Sequence, residues 1–144
     1  MIPDWTETGG LPEGIHQVTW DEFKERFAFF DGSDRRYRII DQLERLFSDA
    51  KRSGIVKRFI VAGSLVTSKA EPNDFDCLVV LDSEILGKQL RPIEYNVVSR
   101  KTARRLYGGD VVPVLKGSGA FEEYLEFFQT DREGRRVGVV EVLL

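Results

Sequence analysis

Residues 75–81, Phe-Asp-Cys-Leu-Val-Val-Leu, form a nearly continuous apolar run with one acid, Asp76, set into it. A strand without polar alternation is buried on both faces, so the rest of the chain must cover a sheet from two sides. Residues 55–62 switch to β-branched and aromatic types directly after Gly54 and read as a second strand of the same sheet core. The segment between them, 63–73, holds Gly63, Ser64 and Pro72 among polar residues and reads as a loop with room for one helical turn.

Amphipathic segments before and after this pair supply the cover. Thr19 and Glu22 have the spacing of a capping box, and Trp20, Phe23, Phe27 and Phe30 recur at helical intervals, which predicts a short helix to about Phe30 and a turn over 31–34. Tyr37, Ile40, Leu43, Phe47 and Ala50, with Arg36, Asp41, Glu44 and Arg45 between them, predict a longer helix stopped by Gly54. Downstream, 93–98 reads as a strand after Pro92, and Ser99 caps a basic helix over 100–107 that stops at Gly108-Gly109. Residues 110–115 read as a short or edge strand, because Pro113 removes a ladder donor. Phe121, Tyr124, Leu125 and Phe128 mark one apolar helix face that belongs to the core, and 136–144 alternate as a last strand. Residues 1–18, with Gly9, Gly10, Pro12 and Gly14, read as an extended arm ahead of a single domain over 19–144. The expected class is α/β (α+β), a small mixed sheet with helices mainly on one face.

Composition removes several functions. Lys and Arg number 21 against 24 Asp and Glu, a net charge of −3, which does not favour holding long nucleic acid by bulk charge. One cysteine, Cys77, and one histidine, His16, exclude an internal disulfide and a Cys/His zinc cluster. No stretch approaches ~18 apolar residues and the first ten lack a signal-peptide pattern, so no membrane role and a cytoplasmic location are expected.

What remains is chemistry at the strand ends. Gly63-Ser64 closes one strand and Asp74-x-Asp76 opens the next. Side chains two apart on a strand point the same way, and at a rise of ~3.3 Å two such carboxylates start roughly 7 Å apart and are able to converge. That suits a pair of divalent ions about 3.5–4 Å apart, as in two-metal phosphoryl and nucleotidyl transfer. Mg²⁺ takes oxygen ligands and shares its shell with substrate phosphates, so few carboxylates are needed. Gly63 lets the backbone approach a phosphate, and Ser64 offers both an N–H and a hydroxyl. The bland alternative is turn chemistry, with Asp74 closing the loop and Asp76 a solvated strand end. Against it stands Asp76, an acid within an apolar strand with no Lys or Arg alternating nearby.

The pattern Gly63-Ser64, nine residues, Asp74-x-Asp76 and an apolar strand resembles the polymerase-β-like nucleotidyltransferase superfamily, in particular its minimal bacterial members. Leu11-Pro12-x-Gly14-Ile15-His16 and Phe127-Phe128-Gln129-x-Asp131-Arg132-x-Gly134 resemble an uncharacterised bacterial nucleotidyltransferase-like group. The resemblance implies that Asp74 and Asp76 bind the metals, Mg²⁺ or Mn²⁺, and that a third acid on a later strand completes the site. Asp110, opening an apolar run behind Gly108-Gly109, is preferred, and Glu94 is its rival. It also implies an NTP substrate, transfer of the nucleoside monophosphate to a protein, an RNA end or a small molecule, and a place in a toxin–antitoxin or phage-defence pair. A chain of 144 residues has little beyond such a core, so a partner protein or RNA acceptor is expected. Departures from the family pattern are Thr67-Ser68-Lys69, where many members carry a small residue and glycine, and Cys77, where Leu is usual.

The remaining residues divide between phosphate contacts and structure. Lys69 is placed to reach a phosphate from the loop, and Arg100, Lys101, Arg104 and Arg105 form either a triphosphate or RNA-backbone site or a solvated helix face. His16 reads as a surface or satisfied histidine, and Cys77 as a buried, inert thiol on the face away from the acids. A catalytically silent module of the same fold, holding nucleotide or a partner, is the alternative to the enzyme.

Overall fold

The computed structural model describes residues 2–28 and 34–144. Among them five strands form one mixed sheet: β1 (Ile15–Val18), β2 (Val56–Ala62), β3 (Asp76–Leu81), β4 (Asp110–Leu115) and β5 (Val139–Val142), in the order β1-β5-β2-β3-β4. The helices are α1 (Trp20–Phe27), α2 (Arg35–Ser53), α3 (Pro92–Val98), α4 (Arg100–Tyr107) and α5 (Ala120–Phe128). β2 runs antiparallel to both β3 and β5, whereas β3 and β4 are parallel, as are β1 and β5. No helix among the described residues is long and apolar enough to cross a membrane.

Strand alternation divides the core in two. Phe59, Val61, Cys77, Val79, Leu81 and Val111 join side chains of the first four helices in one cluster. Ile60, Ala62, Leu78, Val80, Val112 and Val114 form the other, covered by Phe121, Tyr124, Leu125 and Phe128 of α5. Four helices therefore lie on one face and one on the other. Cys77 is fully buried on the crowded side, where burial pushes its thiol up.

Local signals explain most boundaries. The Thr19–Glu22 capping box is present, and Gly54 ends α2 in the left-handed conformation that a Cβ would strain. β4 is the edge strand that Pro113 demands. α1 ends at Phe27, and the expected extension to Phe30 and the turn at 31–33 lie outside the described residues.

Four expectations are corrected. Residues 93–98 are helical: Pro92 occupies the first turn of α3, and Glu94 at its third position accepts the Arg91 N–H at 2.7 Å, so the β-branched run is overruled by its start signal. On α2, Tyr37 is 48% exposed while Arg36 is 2% exposed, because Arg36 finds hydrogen-bond acceptors inside and Tyr37 does not need them. The last strand covers only Val139–Val142, and all four residues are buried, so it does not alternate; Arg136 makes an isolated bridge to Thr130 instead. The segment expected as an arm contains an edge strand and a core residue: Ile15–Val18 pairs with β5, and Leu11 is buried. It also straps the loop after β2, where the Ser68 N–H donates to the Gly9 carbonyl at 2.8 Å. His16 is satisfied by the Pro12 carbonyl at 2.7 Å.

Candidate functional site

The C-terminal end of β2 and the N-terminal ends of β3 and β4 meet along one rim of the sheet. Asp76 and Asp110 are direct partners in the parallel β3–β4 ladder, and Ala62 is the partner of Asp76 across the antiparallel one. Alternation puts Asp76 on the side of Leu78 and Val80, and Asp110 on the side of Val112 and Val114, so both acids share the face that α5 covers further along. Asp74 lies two residues ahead of β3. Asp76 and Asp110 therefore lie on the face away from most helices.

Gly63 turns the chain out of β2 with φ of +81°, and a Cβ there would stand 2.3 Å from Oδ2 of Asp76. Only glycine permits this approach of backbone to carboxylate. Ser64 then opens a 3-10 turn, Ser64–Val66, in which its carbonyl accepts from the Thr67 N–H and hydroxyl. Its own N–H and hydroxyl make no hydrogen bond among the described residues. Gly108 and Gly109, which precede Asp110, shape the backbone there: Gly108 ends α4 at φ +80°, and a Cβ on Gly109 would stand 2.4 Å from the Phe75 ring.

The three acids differ in their partners. Asp74 accepts from Arg104 at 2.7 Å, and Asp110 from Arg100 at 3.0 and 3.2 Å; the two arginines lie one turn apart on α4. The hydrogen bond to Asp74 raises the Arg104 guanidinium above its ordinary range. Asp76 has no hydrogen bond or ion pair among the described residues. Its carboxyl is pushed up to about 6 by burial first, then by the charges of Asp74 and Asp110, against the opposing charges of Arg104 and Arg132. Among the described residues no three His, Cys, Asp or Glu side chains are gathered to hold a metal ion. Two of the three carboxylates are instead engaged by ion pairs to α4.

Glu94, the rival third acid, is elsewhere. It is fully buried on α3, bonded to the Arg91 N–H and side chain and to Lys88 Nζ at 3.2 Å, and Arg91 also reaches the Ser53 carbonyl where α2 ends. Those hydrogen bonds hold its carboxyl down to about 2. It belongs to the opposite end of the sheet. Lys69 is exposed and its side chain has no ion pair among the described residues.

Two arginines were not recognised as site residues in the sequence. Arg36 threads from α2 under the loop after β2 and donates to the carbonyls of Phe27, Leu65, Thr67 and Lys69 at 2.5–3.2 Å, which fixes the path of Ser64 to Lys69. Its spacing of four to Ile40 and seven to Leu43 places it on the buried face of α2. Arg132 lies in the turn between α5 and β5, and no periodic signal marks it. An open cleft of about 1010 Å³ lies apart from this rim, between α2 and α4, lined by Trp20, Glu44, Arg45, Asp49, Leu106 and Tyr107. Within it Trp20 Nε1 donates to Glu44 at 2.8 Å and the Tyr107 hydroxyl donates to Asp49 at 2.6 Å.

Compared with known proteins, residues 3–143 match the model of a family of unknown function, DUF6932. No curated protein and no solved structure matches the chain.

Proposed function

The chain belongs to DUF6932, a family of unknown function, and from the residues at its acid rim we propose that it is a metal-dependent nucleotidyltransferase. The observation that carries this reading is Asp76, a half-buried carboxylate without a hydrogen-bond or ion-pair partner among the described residues, beside Asp110 in the ladder and against the glycine that turns the chain toward Ser64. A structural acid in such a place acquires a hydrogen-bond partner, as Glu94 does.

The donor set fits a hard divalent cation in kind, because the three acids offer oxygen alone. Asp74, Asp76 and Asp110 would hold Mg²⁺ or Mn²⁺, which supplies charge neutralisation to the phosphates of an NTP. Engaging Asp74 and Asp110 in this way requires Arg104 and Arg100 to release them, and the freed guanidinium groups then face the phosphates. Gly63 and Ser64 hold the terminal phosphates through the Ser64 N–H and hydroxyl, and Lys69 and Arg104 add charge. An acceptor hydroxyl attacks the α-phosphorus in line: its oxygen forms the new P–O bond as the bond to pyrophosphate breaks, and its proton leaves to solvent or a carboxylate. The acceptor is a partner protein, an RNA end or a small molecule, and a toxin–antitoxin or defence pair is one setting in which a protein acceptor fits.

One observation favours a second reading. The Arg104–Asp74 and Arg100–Asp110 pairs neutralise two acids, which suits a catalytically silent module that holds nucleotide without metal. A single experiment separates the two. The protein is incubated with α-labelled ATP, CTP, GTP or UTP and Mg²⁺ or Mn²⁺ together with cell extract as acceptor. Label on an acceptor, lost at least ~100-fold in Asp76→Ala, supports transfer. Equal metal and nucleotide binding by wild type and Asp76→Ala, with no labelled product, overturns it in favour of the silent module.

A further inference from the structure

The turn between α5 and β5 is built to a fixed shape. Asp131 Oδ1 accepts the N–H of Glu133 at 2.9 Å and of Arg135 at 2.8 Å, and its Oδ2 accepts Arg135 Nε at 2.8 Å. The Asp131 N–H donates to the Arg135 carbonyl at 2.9 Å, Gly134 supplies φ of +79°, and the Thr130–Arg136 bridge closes the base. Three arginines sit in this turn. Arg135 is committed to Asp131 and Glu133, and Arg136 to Glu13 and Glu126. Arg132 is exposed and makes no hydrogen bond or ion pair among the described residues.

The sheet topology puts this turn at the acid rim. β5 lies antiparallel beside β2, with Ile60 opposite Glu141 and Val61 opposite Val140, so the segment entering β5 stands level with the end of β2 where Gly63 and Ser64 emerge. α5 brings the chain there along the face on which Asp76 and Asp110 lie. Across the rim the order is thus the Arg132 turn, Gly63-Ser64, Asp76 and Asp110, with Arg104 and Arg100 of α4 reaching the acids from beyond. The charge of Arg132 is felt at Asp76, where it favours the carboxylate.

We propose that Arg132 is a phosphate-contacting residue, which grips the polyphosphate tail of a nucleotide from the flank opposite Arg104, with Ser64 between the two. Arg100 and Arg104 must each give up a carboxylate before they meet an anion. Arg132 has no ion pair to give up among the described residues, so it is the guanidinium free to make the first contact, and its planar fork matches phosphate oxygens. This assignment rests on the rim being a nucleotide site, but it concerns anion binding and not the transfer step.

The test is calorimetric titration of inorganic tripolyphosphate without metal, and of ATP with Mg²⁺, into wild type, Arg132→Ala, Arg132→Lys, Asp76→Ala and Lys51→Ala. Lys51 is exposed in the last turn of α2, at the other end of the sheet, and its variant controls for the lost charge. Circular dichroism melting checks that each variant is folded. Expected is at least a tenfold loss of tripolyphosphate affinity in Arg132→Ala, a loss of about threefold in Arg132→Lys, and no change in Lys51→Ala. If Arg132→Ala binds tripolyphosphate as well as wild type, or if wild type binds none, the assignment is overturned. The transfer reading falls separately, if Asp76→Ala binds Mg²⁺-ATP as wild type does while the Arg132 effect persists.

Discussion

The two ends of the central sheet each carry a carboxylate that burial would penalise, and the protein treats them in opposite ways. At the end where α2 leads into β2, Glu94 is fully buried and surrounded by donors, the Arg91 N–H, the Arg91 side chain and Lys88, and its carboxyl is held down to about 2. At the other end Asp76 sits beside two further acids with no donor among the described residues, and its carboxyl is pushed up to about 6. The same fold satisfies one acid fully and leaves the other without a hydrogen-bond donor among the described residues. The contrast is the ground on which we propose a structural role for the first end and a binding role for the second.

The sharpest way to break that division is to remove what shapes the acid end without touching an acid. Arg36→Met leaves the carbonyls of Phe27, Leu65, Thr67 and Lys69 without their donor in a buried site. The expected loss of unfolding free energy is roughly 3–5 kcal/mol, read as a shift in urea midpoint. A loss below 1 kcal/mol shows that the loop after β2 holds its path unaided.

Next in size is the exchange of roles between Asp110 and Glu94. Asp110→Asn is expected to weaken metal-dependent nucleotide binding or transfer by about 100-fold with little change in melting temperature. Glu94→Gln is expected to lower the melting temperature and leave binding intact, because it breaks the charge-assisted bonds to Arg91 and Lys88. The reverse pattern would return Glu94 to the site and dismiss Asp110.

These residues also show what a sequence discloses and what it hides. The face of Asp76 was readable because an acid inside an apolar run has a fixed alternation, whereas the glycine at the end of β2, read as admitting a phosphate, was not seen to be required by Asp76 itself. The edge position of β4 followed from the missing N–H of Pro113. Glu94 was misplaced because a β-branched run after a proline satisfies strand composition and helix initiation equally, and only the hydrogen bond that the Arg91 N–H donates to Glu94 Oε1 decides between them. Arg36 was hidden by its charge: side-chain spacing put it on the buried face of α2, but the carbonyls that make burial tolerable come from a loop some thirty residues away. The pairs Arg100–Asp110 and Arg104–Asp74 depend on how α4 docks against β4, which no local spacing encodes. Arg132 reaches the rim only through the β2–β5 pairing, the longest-range contact in the site.

The smallest effect is a pH dependence whose sign differs between the two ends. For Asp76 the folded value, about 6, lies above the ordinary 3.8, so between these values the native state binds more proton than the unfolded chain. Stability from this group therefore falls as pH rises from about 4 to about 6 and is level above that. For Glu94 the folded value, about 2, lies below 4.5, so its contribution is complete above pH 4.5 and is lost as pH falls toward 2. Asp76→Asn in metal-free buffer is then expected to gain roughly 1–2 kcal/mol over wild type at pH 8, after allowance for solvent screening at a partly exposed group, and almost nothing at pH 4. Glu94→Gln behaves inversely, with its deficit largest at neutral pH and shrinking below pH 4. Denaturant midpoints at pH 3, 4, 6 and 8 measure both. An Asp76→Asn that destabilises at pH 8 would mean that the carboxylate has found a partner in solution, and the two ends of the sheet would no longer differ in kind.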